Sequence, residues 1–230
     1  MDVASSLRSV KERIGEAAAR AGRPAGGVKL VAVTKGVEPA RIVEAITAGH
    51  LTFGENYAQE FRLKKEIIDR MVDENVEWHF IGRLQRNKVK YLVGEVGLIH
   101  SLDSLSVARE IEKKAAGMGI RVPVLIEVDT GGEETKGGVK REDVEGFIDS
   151  LVELSSIEVR GLMTMPPYFD DPVKARPYFA ALRELRDRLR AGHPGLTELS
   201  MGMSGDFEAA IEEGATIVRI GTTIFGPRQQ

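Results

Sequence analysis

The sequence predicts a closed (β/α)8 barrel of the TIM type, and three observations predict it. Eight short apolar runs, each of strand length, take turns with helical patterns along 230 residues, as parallel βαβ units do. That length suits one α/β barrel domain spanning 1–230, and no linker or shift in composition marks a second unit. The residues that follow the runs, where such a barrel carries its site, are polar or glycine. A doubly wound open sheet is the alternative arrangement, but eight repeats in this length favour closure.

The N-terminal stretch MDVASSLRSVKERIGEAAARAG repeats Val3, Leu7, Val10, Ile14 and Ala18 at helical spacing. This predicts an extra amphipathic helix within 1–22, flanking or capping the barrel, and the stretch lacks the apolar centre of a secretory signal. RPAGG, 23–27, breaks the pattern. Strands are then expected at 29–33, 51–54, 77–81, 98–101, 122–128, 159–163, 198–201 and 216–220. Helices are expected near 39–48, 56–73, 84–93, 104–117, 141–153, 173–191 and 206–213. DTGGEETKGG, MPPYFDDP and AGHPG carry turn chemistry between them.

Composition narrows the function. The chain is 42% hydrophobic and 29% charged with a net charge of −3, so it offers no basic field for nucleic acid or an anionic membrane. The basic runs at 83–90 and 183–190 read as solvated helix faces. There is no cysteine, which excludes disulfides, thiol catalysis and cysteine metal sites. No run is long and apolar enough to span a membrane, and the cytoplasm is the expected location.

Candidate site residues follow from the strand ends. VKLVAVTKG closes the first strand with Lys35. A lysine there either pairs with a carboxylate or acts as an amine that condenses with an aldehyde. Loops after the seventh and eighth strands commonly hold phosphate in this fold. Here they read MGMSGDFEAAI and RIGTTIFG, offering Ser204, Gly221 and Thr222. Taken singly, Ser204 is an ordinary helix cap and Gly221 an ordinary turn. Arg219 lies two residues before Gly221 and so faces the same way. It meets either a structural carboxylate or the ring nitrogen of a bound heterocycle. An imine-forming amine, a phosphate cradle and an opposing arginine together describe a site for pyridoxal 5'-phosphate.

VAVTK, FGENYAQE, WHFIGRLQRNK, EETKGG, GLMTM and above all LSMGMSGDFEAAIEEGATIVRIGTTIFG resemble the pyridoxal phosphate homeostasis proteins, which are similar to the N-terminal barrel domain of alanine racemase. The resemblance covers nearly the whole chain. It implies that Lys35 holds the cofactor as a Schiff base, with Asn56 beside the ring and His79 more loosely so. It further implies that Ser204, Gly221 and Thr222 hold the phosphate and that Arg219 faces the pyridine nitrogen. Met201 and Met203 read as packing around the site. Lys136, in EETKGG, matches a family lysine and reads either as a solvated loop residue or as a second cofactor contact. One departure stands out: the family commonly reads Ser-Lys-Thr-Lys-Pro where this chain has Ala32-Val33-Thr34-Lys35-Gly36.

The expected role is a carrier that buffers, protects or delivers pyridoxal phosphate, with downstream effects on amino-acid and keto-acid balance. Arginine only donates, so the ring nitrogen facing it stays unprotonated and the cofactor is a weaker electron sink. A racemase also needs acid–base groups on both faces of the cofactor. The resemblance places one of these on a tyrosine of a second domain, and the chain ends at Gln230 after the barrel closes. No catalytic residue and no metal ligand is therefore expected. A weak alanine racemase is the alternative, with Tyr57 or Tyr168 as substitutes, and a Schiff-base aldolase is a third reading. The expected partners are pyridoxal phosphate and apoenzymes that receive it, and the chain is expected to act as a monomer.

Overall fold

The computed structural model describes residues 2–132 and 137–227, so the expectation for Lys136 lies outside the described residues. Among the described residues nine strands form one parallel sheet: β1 (Lys29–Val33), β2 (Thr52–Glu55), β3 (Glu77–Phe80), β4 (Leu98–Leu102), β5 (Val122–Asp129), β6 (Val139–Lys140), β7 (Ile157–Met163), β8 (Glu198–Ser200) and β9 (Ile217–Ile220). Neighbours pair around the ring β1-β2-β3-β4-β5-β7-β8-β9, and β9 pairs back onto β1. Eight strands thus close a (β/α)8 barrel, and β6 adds a two-residue pairing to the end of β5.

The strands are largely apolar because most of their residues are buried on one face or the other. Val31, Leu98, Leu125, Met163 and Ile217 form a small cluster of their own inside the ring. Their neighbours Leu30, Ala32, Ile99, Val124, Leu162 and Val218 belong to the larger core between sheet and helices. This period of two fixes which residues after each strand continue the inward row.

The first helix, α1 (Val3–Arg20), begins at Asp2, whose carboxylate accepts from the N–H groups of Ala4 and Ser5 at 3.2 and 3.0 Å. Its buried face is the predicted stripe of Val3, Leu7, Val10, Ile14 and Ala18, with Ala17 added to it. It packs against α2 (Pro39–Thr47), α7 (Phe207–Glu212) and α8 (Thr222–Phe225), so it flanks the barrel. The remaining helices are α3 (Ala58–Met71), α4 (Leu105–Met118), α5 (Val144–Asp149) and α6 (Arg176–Leu189).

Two predicted helices come out differently. The one near 84–93 is a 3-10 turn over Arg86–Tyr91, in which Val89 is the buried side chain. A segment with one anchor lacks the stripe that stabilises a longer helix. The one at 141–153 becomes a 3-10 turn, Arg141–Asp143, followed by the six-residue α5, with Gly146 in its middle.

Candidate functional site

The end of β1 is held by side chains from β2 and α3. Thr34 turns outward, its Oγ1 lying 2.7 Å from Glu55 Oε1 and 3.2 Å from the carbonyl oxygen of Gly54. Lys64 is a buried lysine whose ammonium donates to the Thr34 carbonyl, to Glu55 at 2.7 Å and to Glu60 at 2.5 Å. Glu60 also accepts the N–H of Gly36 at 2.6 Å. Burial pushes the Glu55 carboxyl up, against Lys64 and Thr34, which hold it down. Residues 34 and 36 are thus clamped on either side of Lys35.

Gly36 has φ +68°, in the left-handed region. A proline there, with φ fixed near −65° and no N–H, could adopt neither this turn nor the bond to Glu60. Gly36 therefore permits a strand exit that proline could not adopt, and Lys35 lines the cavity beyond it.

Lys35 opens onto a cavity of about 520 Å³ that Asn56, Ser204, Arg219, Gly221 and Thr222 also line. Asn56 is fixed by the close approach of Gly82, where a Cβ would lie 2.1 Å from the Asn56 carbonyl oxygen. Its side-chain Oδ1 is buried without a hydrogen-bond partner. The loops after β8 and β9 meet where Gly221 N–H donates to Ser204 Oγ at 3.3 Å. The first N–H groups of α8, at Thr222 and Thr223, have no acceptor within the helix, and both residues line the same wall.

Arg219 forms the floor. It is buried, donating to Ser200 Oγ at 2.5 Å and to the Thr164 carbonyl at 3.0 Å. Burial lowers it to about 10, against the attraction of Glu127 and Asp206, so it stays cationic near neutral pH. Asp206, in the loop after β8, accepts from Met203 N–H at 2.6 Å. Its carboxyl is pushed up by burial, with that bond and Arg219 opposing the rise.

Six of the seven expected site residues therefore share one cavity, and His79 does not. The structure places it inside the ring below the cavity, because the inward row of β3 runs Glu77, His79, Ile81 and only Ile81 reaches the wall. His79 bonds Glu77 and His100 instead, at 3.0 and 2.9 Å. Met203 lines the cavity, whereas Met201 is buried in the outer core.

Tyr168, named from the sequence as a possible acid–base group, stands in a wall with Met165, Pro167 and Phe169 that the sequence did not reveal, and the clamp of Glu55, Glu60 and Lys64 was also missed. The spacing of Glu60 and Lys64, four apart on a helix, was the available signal for the clamp. An adjoining space of about 350 Å³ is lined by Arg83, Glu127 and Asp129 and shares Met165, Pro167, Tyr168 and Met203 with the first. Burial and the nearby Asp103 push Glu127 up to about 7, against Arg219 and Arg83. Among the described residues no group of three or more His, Asp or Glu could hold a metal ion, and no helix is long and apolar enough to cross a membrane.

A parallel barrel with an amine at the exit of β1 and an arginine on β9 is the architecture of one broad class. A family model described as alanine racemase, N-terminal domain, matches residues 5–229. The chain is 53% identical, over the full length of both, to the pyridoxal phosphate homeostasis protein of Aquifex aeolicus. To the protein of that name from Pseudomonas aeruginosa it is 40% identical, over 98% of this chain and 96% of the relative. The chain belongs to the pyridoxal phosphate homeostasis proteins, within the alanine racemase N-terminal domain family. Its structure is similar to that of PipY from Synechococcus elongatus with PLP bound: TM-score 0.84 and 32% identity, over 97% of this chain and 100% of that one. The alanine racemase of Corynebacterium glutamicum shares the fold, with TM-score 0.77 and 18% identity, over 98% of this chain and 61% of the racemase.

Proposed function

We propose that this chain binds pyridoxal 5'-phosphate through Lys35 and holds it for other proteins, without turning over a substrate of its own. The observation that carries the reading is the convergence of Lys35, Asn56, Ser204, Arg219, Gly221 and Thr222 on one cavity of small-molecule size. The chemistry the cofactor brings is its aldehyde, which condenses reversibly with a lysine amine. The clamp of Glu55, Glu60 and Lys64 sets the position of Lys35. Gly221, Thr222 and Ser204 offer N–H and hydroxyl donors to the phosphate. A bound ring would meet Arg219 at its nitrogen, and the unpartnered Asn56 Oδ1 would be available to a polar substituent of the ring.

The same groups support storage over catalysis. Arginine donates a hydrogen bond without transferring its proton, so the ring nitrogen would stay unprotonated and the bound ring would be a weak electron sink. Tyr168 lines the cavity but is 85% exposed, so its phenol is not held against either face of a ligand. Tyr57 is exposed and outside the wall. Cofactor held this way is shielded from stray amines and available to apoenzymes that need it.

The test combines binding with turnover. Added pyridoxal phosphate should give the wild-type protein a yellow absorbance band, and Lys35→Ala should remove it. L-alanine incubated with the loaded protein should stay unracemised at the level of Lys35→Ala. Sustained Lys35-dependent racemisation would favour the enzyme reading. Transfer to a recipient is read by mixing the loaded protein with a pyridoxal phosphate-requiring apoenzyme and following the gain of that enzyme's activity.

A further inference from the structure

Below the cavity a row of polar side chains crosses the barrel interior from Arg219 to the opposite face. Arg219 Nη1 donates to Ser200 Oγ at 2.5 Å, and Ser200 Oγ lies 2.9 Å from His100 Nδ1. His100 Nε2 lies 2.9 Å from His79 Nδ1, and His79 Nε2 lies 3.0 Å from Glu77 Oε1. Ser200, His79 and His100 are buried, and Glu77 reaches the far rim, where Lys29 Nζ donates to it at 3.0 Å and Thr52 Oγ1 at 3.2 Å.

Donors and acceptors can be matched in one direction through all four links. Ser200 accepts from Arg219, so its own proton is available to His100 Nδ1. A His100 that accepts at Nδ1 carries its proton on Nε2 and donates to His79 Nδ1. His79 then carries its proton on Nε2 and donates to the Glu77 carboxylate. The reverse arrangement requires a cationic His79, turns His100 round and leaves the Ser200 proton without an acceptor in the row. It also adds a charge between two existing cations, Lys29 and Arg219. Burial above all, with the cations of Arg219 and Lys29 adding to it, pushes His100 well below the usual histidine range. Glu127 and Asp206 are the carboxylates that act on Arg219 itself.

We propose that Ser200, His100, His79 and Glu77 form a single polarised donor chain that holds Arg219 in position for the cofactor, with both imidazoles neutral and protonated on Nε2. These four are positioning residues, acting on the ligand through Arg219. The cation at one end and the carboxylate at the other polarise every link between them. The proposal rests on the reading of Arg219 as the partner of the cofactor ring, but the state of the chain itself does not.

Two measurements test it together. The first is long-range 1H–15N correlation NMR of the unloaded protein, whose four histidines are assigned with His50→Gln and His193→Gln. His79 and His100 should both appear as neutral Nε2–H forms, and in Glu77→Gln part of His79 should appear as the Nδ1–H form, because an amide can also donate. The second is the release rate and absorbance band of bound pyridoxal phosphate. Ser200→Ala should release it about tenfold faster, the scale of one hydrogen bond to a charged group. The band should move in Ser200→Ala and in Glu77→Gln, and Ser200→Thr, which keeps the hydroxyl, should restore it. A cationic His79 or an Nδ1–H His100 in the wild-type protein overturns the proposal, as does a Ser200→Ala protein with unchanged band and release. If the wild-type protein gives no band with pyridoxal phosphate, the proposed function falls and the tautomers still decide the chain.

Discussion

Lys64→Met separates the clamp around Lys35 from ordinary packing, because methionine keeps most of the stem and removes only the ammonium. In the wild-type protein that ammonium meets the carbonyl of Thr34 and the carboxylates of Glu55 and Glu60, whose side chains are 1% and 27% exposed. Removing one partner of a buried ion pair costs about 3–5 kcal/mol, because the other charge stays buried. For a chain of this size each kcal/mol moves the melting temperature by about 2–4 °C, so the expected loss is roughly 6–20 °C at pH 7.

The pH dependence gives the sign. Burial already raises the Glu55 carboxyl, with Lys64 opposing it, so without Lys64 it rises further. A group raised in the folded state contributes stability below its unfolded value, and that stability is lost as pH rises through the folded value. Lys64→Met should therefore recover much of its deficit between pH 7 and pH 5, and Glu55→Gln in the same chain should recover it at pH 7. Thermal unfolding followed by circular dichroism at the two pH values measures this. A deficit under about 0.5 kcal/mol, the range of ordinary surface changes, or one that does not shrink on acidification, would refute the reasoning.

Three further outcomes are expected. Gly36→Ala should cost about 1–2 kcal/mol for its left-handed backbone, and Gly36→Pro clearly more, since it also loses the N–H bond to Glu60; denaturant titration of the two compares them. Glu127, raised to about 7, should make stability fall as pH rises from about 4.5 through 7, by on the order of 3 kcal/mol, and Glu127→Gln should flatten that slope in melts across the range. Ser204→Ala and Thr222→Val should each weaken pyridoxal phosphate binding about tenfold by fluorescence titration, the scale of one hydrogen bond to an anion, while leaving binding of the phosphate-free pyridoxal unchanged.

The barrel was legible because parallel strands buried on both faces leave continuous apolar runs, and all eight were found within two residues of their observed bounds. The cavity was legible because position in this fold assigns a role: Lys35, Asn56 and the two phosphate-side loops sit just past strand ends, and Arg219 is one residue from the end of β9. His79 shows the limit of that rule. It lies in a strand of four residues, and whether its side chain reaches the mouth or stops below it depends on the stagger of β3 against β2 and β4, which spacing does not encode. The same holds for its partners, since nothing local links His79 to His100, 21 residues on, or His100 to Ser200, 100 residues on. The 3-10 turn over Arg86–Tyr91 was misread because charged residues at helical spacing resemble a solvated helix.

The most direct measurement of the central claim is borohydride reduction of the protein loaded with pyridoxal phosphate, followed by peptide mass mapping. The account predicts that the yellow band bleaches and that one pyridoxyl adduct appears, on Lys35. A protein that stays colourless with added cofactor, or an adduct found on other lysines with Lys35 unmodified, would contradict it.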